Sequence, residues 1–209
     1  LDILKHMLGD EKGRLVLMPR HHGFSLIELM VILAIVGVLF MVGAPELRQY
    51  TVNTKILAAA QGLMGAMQQA RAEAIRLNTT VEVVITDSND LTNPNSVTGT
   101  ATGRSWMVRA FNPTTAAYTL VNAKASTESA LVGVVAVNAP ATTVTFNALG
   151  GTTLASPTTF AFTAEGETCG TGASGGFRCI NVVVTPGGRS QVCDPAISTA
   201  GDARACVTT

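Results

Sequence analysis

Charge is scarce in this chain of 209 residues: Asp, Glu, Lys and Arg make up 13% of it, about half the usual share. Only two lysines, Lys55 and Lys124, lie beyond residue 12, and the 14 basic residues balance the 14 acidic ones. The balance disfavours a strongly basic nucleic-acid binder, though not a small local patch. Low charge beside 47% hydrophobic residues also excludes a disordered chain, since disorder goes with high charge and few apolar residues. Histidine is scarcer still. His6, His21 and His22 are the only three, all before residue 23, so the rest of the chain lacks the means for a Ser-His or Cys-His nucleophile or a histidine-ligated metal. No glycine-rich phosphate loop occurs. Asp87-Ser88-Asn89-Asp90 offers hard oxygens without the spacing or closing Glu of a calcium loop, and reads as a turn. Glu165 and Glu167 sit among Gly and Thr and are expected to be solvated. These gaps predict no enzyme, no cofactor and no metal site. The length allows one medium domain plus an appendage.

What the chain does have is one long apolar run. Residues 24–44 read FSLIELMVILAIVGVLFMVGA, with Glu28 as the single charge. As a helix this run would span about 30 Å, one bilayer core. Lys5, Lys12, Arg14 and Arg20 precede it, which places the N-terminal flank in the cytoplasm and the chain beyond Pro45 across the membrane. A removable signal peptide is disfavoured because the run exceeds a signal core and Pro45 would follow the cut at Val42-Gly43-Ala44. Neither a signal peptide nor a plain anchor accounts for Glu28. A carboxylate inside an apolar helix costs about 2.5–3.5 kcal/mol on insertion scales, and no Lys, Arg or His lies between Gly23 and Leu47. Cleavage after Gly23 would create a positive amine on Phe24, one helical turn from Glu28. In a stack of such helices the carboxylate of one subunit meets the amine of its neighbour, so two costly ions cancel only on assembly.

Gly23-Phe24-Ser25-Leu26-Ile27-Glu28-Leu29 resembles the processing motif of type IV pilins and type II secretion pseudopilins. The resemblance implies that a prepilin peptidase cuts after Gly23 and methylates the Phe24 amine, and that Glu28 is the assembly glutamate. Pro45 fits the same family, in which a proline interrupts the first helix as it leaves the membrane. The leader, residues 1–23, is longer than most. A start at Met7 or Met18 is an alternative to Leu1, and a start at Met18 gives a six-residue leader with the same cleaved product.

Beyond Pro45 the apolar period becomes helical. Leu47, Tyr50, Leu57, Ala60, Met64, Met67, Ala74 and Ile75 are expected to form the stripe that packs on a globular head, with Asn78 as the stop. The predicted first helix covers residues 24–77 with a break near 43–45. Strands are predicted at 81–86, 106–111, 118–121, 131–137, 143–147, 159–163 and 178–185, with a hairpin across Asn112-Pro113 and a turn at Pro186-Gly187-Gly188 leading into 189–192. A helix followed by strands predicts an α+β head with an antiparallel sheet. The expected division is leader 1–23, transmembrane helix 24–45, amphipathic helix 46–78 and β-rich head 79–209.

The stretch Ala70-Arg71-Ala72-Glu73-Ala74-Ile75-Arg76-Leu77-Asn78, Trp106, Phe146-Asn147-Ala148-Leu149-Gly150 and Ile180-Asn181-Val182-Val183-Val184 before Gly188-Arg189 resemble the H-type pseudopilins and the FimT/FimU minor pilins. That resemblance implies a structural subunit of a type II secretion pseudopilus or a type IV pilus. Its partners would be other pilins, the prepilin peptidase and an inner-membrane assembly platform, and its head would be periplasmic. An alternative is a FimT-like subunit for DNA uptake, for which Arg178, Arg189 and Arg204 are the candidate contacts. Three scattered arginines predict weak, salt-sensitive DNA binding.

Cys169, Cys179, Cys193 and Cys206 all lie in the last 41 residues. Their spacing is not that of a zinc site, and outside the cytoplasm disulfides persist. Three pairings are open. The expected one, Cys169–Cys179 with Cys193–Cys206, closes two short local loops, each adding roughly 2–4 kcal/mol.

Overall fold

The computed structural model describes residues 25–129, 131, 135–166, 177–199 and 201–206. The leader, Gly23, Phe24 and Cys169 lie outside the described residues. The chain divides into two compact units, one ending at Gly43 and the other running from Ala44 to Thr209.

Helix α1 (Leu26–Leu77) crosses that division. Its helical assignment runs on through Gly43 and Pro45, and its axis breaks between Met41 and Glu46, where a break was expected. From Leu26 to Met41 its side chains are exposed: Leu26 at 76% and Met41 at 83%, with Leu29, Val31, Leu33 and Leu39 between them. In the second unit Ile56, Ala60, Leu63, Met67, Ala70 and Ala74 are buried. Their alternating spacing of four and three keeps one face toward the core.

This face differs from the predicted stripe. Ala60, Met67 and Ala74 are shared, and Met64 packs on the core while partly exposed, but Leu47, Tyr50, Leu57 and Ile75 are exposed. Each helical residue advances about 100°, which sets Tyr50, Leu57 and Ile75 roughly a quarter-turn or more from the buried row. The prediction had merged two apolar rows into one. The helix ends where expected. Asn78 adopts φ 51°, and Thr79 N–H donates to Ala74 O at 3.3 Å, closing a carbonyl the last turn leaves open.

The strands are β1 (Val81–Thr86), β2 (Ser105–Asn112), β3 (Ala117–Lys124), β4 (Val135–Asn138), β5 (Thr143–Phe146), β6 (Thr158–Ala164), β7 (Ile180–Val184) and β8 (Ser190–Cys193), with a short 3-10 helix at Ser126–Ser129. They make two antiparallel sheets rather than one, in the orders β3-β2-β1-β5 and β4-β6-β7-β8. Val83 stands opposite Val108 on one side and Val144 on the other. Strand alternation sends Val81, Val83, Val108, Ala110 and Phe146 from the first sheet, and Phe160, Phe162, Val182 and Val184 from the second, into one core with the buried row of α1.

The other face of the first sheet carries a second, smaller core. Val84 and Met107 pack there with Leu91, Val97 and Ala125, so the long segment 87–104 covers that face. It is tied down by charge. Arg109 Nε and Glu82 Oε2 are 2.8 Å apart, Arg109 Nη1 donates to Pro94 O at 2.6 Å, and Tyr118 hydroxyl donates to Glu82 Oε1 at 2.9 Å. The Arg109 guanidinium lies 4.2 Å from the Tyr118 ring centre, a favourable cation–π position. Asn95 adds a reciprocal pair with the Tyr118 backbone. Burial raises the Tyr118 phenol above its usual 10.0, with the Glu82 carboxylate adding to the effect.

Candidate functional site

Ser25 precedes α1, and its carbonyl accepts the Leu29 N–H at 3.1 Å. Glu28 therefore stands in the first helical turn, exposed and flanked by exposed Ile27 and Leu29. Among the described residues none forms an ion pair with it. The position also suits a carboxylate electrostatically, because a helix start carries partial positive charge. No single helix among the described residues is long and apolar enough to cross a membrane; Leu26–Met41 and Glu46–Leu77 meet that requirement only together. The first of these rises about 24 Å.

The three arginines considered for DNA do not share one patch. Arg178 lines a groove with Tyr50, Asn53 and Leu57, and its backbone N–H donates to Asn53 Oδ1 at 2.8 Å. Arg189 lies instead beside Gln68, Arg71 and Ala72. Asn53 and Arg71 are about 27 Å apart along the helix. Arg204 is paired with Asp202 at 2.8 Å, and the hydrogen bond from its guanidinium holds the Asp202 carboxyl at about 2. The separation follows from the sheet: β7 runs between Arg178 and Arg189, so its length keeps them at opposite ends.

Cys193 and Cys206 are joined with their Cα atoms 5.0 Å apart. The bond holds the C-terminal tail on edge strand β8, where Asp194 N–H also donates to Arg204 O at 2.7 Å. Cys179 is also disulfide-bonded. The segment 87–90 bends at Asp87 and Asn89; Asp90 Oδ1 accepts from the Thr92 hydroxyl at 2.7 Å, and Asn89 Oδ1 from the Ser126 hydroxyl at 3.0 Å. The Glu82–Arg109–Tyr118 cluster was not singled out from the sequence, since only the pairing of β1 with β2 and β2 with β3 brings the three together.

The profile of the family described as type II transport protein GspH matches residues 59–188, more than half of the chain. The chain belongs to this family. A second profile, the prokaryotic N-terminal methylation motif, matches residues 18–44, which include Glu28. Among solved structures, the type IV minor pilin FimU of Pseudomonas aeruginosa is similar at 14% identity and a TM-score of 0.46, over 72% of this chain and 97% of that one. The minor pseudopilin EpsH of the Vibrio cholerae type 2 secretion system is similar at 14% identity and a TM-score of 0.45, over 68% and 99%. No curated protein matches the chain. As a GspH-family member with a methylation motif and a helix packed on antiparallel sheets, the chain is a minor pseudopilin or type IV minor pilin. The family is one of structural subunits that assemble with other pilins, and the motif and fold point to a membrane-anchored, periplasmic head. The GspH match stops at Gly188, so the Cys193–Cys206 tail lies beyond it.

Proposed function

We propose that the chain is cleaved after Gly23, methylated on Phe24 and held in the inner membrane by the first part of α1. It then enters a pseudopilus or pilus, the Glu28 carboxylate of one subunit meeting the Phe24 amine of the next. The observation that supports this most is Glu28, without an ion pair among the described residues, in the first turn of an exposed apolar helix within the methylation-motif match. An acid there is costly in lipid unless a cation joins it, and the amine released by processing is the cation that assembly supplies. The role is structural rather than catalytic, and the partners are other pilin-like subunits, the prepilin peptidase and the assembly platform.

Intact mass after co-expression with a prepilin peptidase tests the processing step. The expected product has lost residues through Gly23 and gained one methyl group. An uncleaved chain in the presence of an active peptidase would overturn it.

A further inference from the structure

Gly150 and Gly188 have φ of 81° and 78°, in the left-handed region that favours glycine. Each sits in a turn, one after β5 and one between β7 and β8, and the two turns interlock. Thr152 N–H donates to Pro186 O at 2.8 Å, and an added Cβ on Gly188 would collide with the Gly150 carbonyl. Arg71 of α1 lies over both: such a Cβ would stand 3.0 Å from Arg71 Nε at Gly150 and 3.5 Å at Gly188. The Arg71 side chain is thus laid against a fixed platform. Arg189, next in the chain to Gly188, shares with it a cleft of about 390 Å³ whose other walls are Gln68, Ala72, Ile75 and Ser190.

Arg76, Arg104, Arg109 and Arg204 each have a carboxylate within 3.0 Å. Arg71 and Arg189 have none among the described residues. No acid lines the cleft, and Glu73, the carboxylate on this stretch of helix, is taken by Arg76 at 2.7 Å. Beside the cations lies apolar surface. Ile75 is exposed, and Leu149, one residue before Gly150, is 92% exposed on a turn held by Asn147, whose Oδ1 accepts the Leu149 and Gly151 N–H groups at 3.0 Å each. A turn held in this way, presenting a bare leucine one residue from the Gly150 that lies against Arg71, is a preorganised surface.

We propose that this cleft is a socket for a carboxylate-bearing apolar segment on the head of a neighbouring pilin-like subunit. Two guanidiniums and the Gln68 and Ser190 side chains supply forked and single donors suited to carboxylate oxygens, and Leu149 and Ile75 receive the apolar part. A nucleic-acid backbone fits less well, because two cations neutralise few phosphates and the leucine offers a phosphate nothing. The identity of the occupant rests on the assembly reading above; the chemistry of the cleft does not.

The full chain in non-ionic detergent, titrated against a fluorescein-labelled peptide of alternating glutamate and leucine, tests the socket by anisotropy. The account expects saturable binding, weakened about tenfold by Arg189→Gln, the loss of a charged hydrogen-bond partner, and weakened measurably by Leu149→Ser. Arg189 and Leu149 are exposed, so both variants should keep the parent melting temperature. Replacing both Arg71 and Arg189 with glutamate should shift preference to a lysine–leucine peptide. No saturable binding, or binding indifferent to Arg189→Gln, would overturn the socket. So would tighter binding of a short DNA duplex than of the acidic peptide, or displacement by inorganic phosphate with no effect of Leu149→Ser. Normal incorporation of Glu28→Ala would sink the assembly reading and leave peptide binding untouched, so the two failures are distinguishable.

Discussion

Two stretches of one helix, one almost wholly apolar and one apolar along a row, have opposite fates. Between Leu26 and Met41 the apolar side chains are exposed, whereas from Ile56 to Ala74 one row is buried against two sheets. The first stretch is exposed among the described residues, and in the proposed anchored subunit lipid or other subunits cover it. The second stabilises the head. An apolar row does not by itself say what a helix packs on. What distinguishes the two is which carry small residues: Ala60, Ala66, Ala70 and Ala74 let the sheets approach closely, while the first stretch is rich in Leu, Ile, Val and Met.

The largest expected effect that sharpens this contrast is a truncation on each side of it. Met67→Ala removes a fully buried side chain and should cost the head about 2–5 kcal/mol, read as a lowered denaturant midpoint. Leu33→Ala, on the exposed stretch, should leave that midpoint where it was. Equal effects would erase the distinction. Next in size is the tail staple. Replacing Cys193 and Cys206 together with alanine opens a loop of separation 13 and should cost about 2–4 kcal/mol, with thermal unfolding as the readout. A smaller loss is expected from Arg109→Ala. Its partner Glu82 is only 15% exposed and Arg109 13%, and removing a hydrogen-bond partner of a charged group costs about 1.5–3 kcal/mol. Segment 87–104 should then exchange its amide protons faster than β7 does. Unchanged exchange would show that the second core, not the ion pair, holds the segment.

The smallest effect concerns pH. The folded-state Tyr118 phenol titrates above 10.0, so its contribution is fully present below pH 10 and is lost as pH rises through the folded value. Melting temperature should fall through that alkaline window, and less so in Tyr118→Phe. The opposite sign applies to Asp202, lowered from 3.8 to about 2: its contribution is present above 3.8 and disappears as pH falls through about 2.

Much of this was legible in the residues because local chemistry decided it. Asn78 ended the helix, Asn112-Pro113 and Pro186-Gly187-Gly188 turned the chain, and the β-branched runs became strands. The methylation motif matched at residues 18–44 is likewise local. The burial of α1 was only half legible. Ala and Met fit a buried or an open face equally, and the row through Tyr50 and Leu57 has the same period as the buried one. Two sheets were expected as one, because strand order depends on pairings that no local run encodes. Arg178 and Arg189 seemed close in sequence, yet an intervening strand separates them, whereas Arg71 and Arg189, far apart in sequence, meet across two interlocked turns. The turn at Gly188 was legible in the sequence, but its partner on α1 was not.

The account stands on the exposed carboxylate at the start of α1, and the most direct measurement is the amount of mature chain recovered in fibres sheared from cells. Glu28→Ala should be processed to the same mass as the parent, apart from the substitution itself, and be missing from the fibres. Recovery equal to the parent's would contradict the charge pairing on which assembly is argued here.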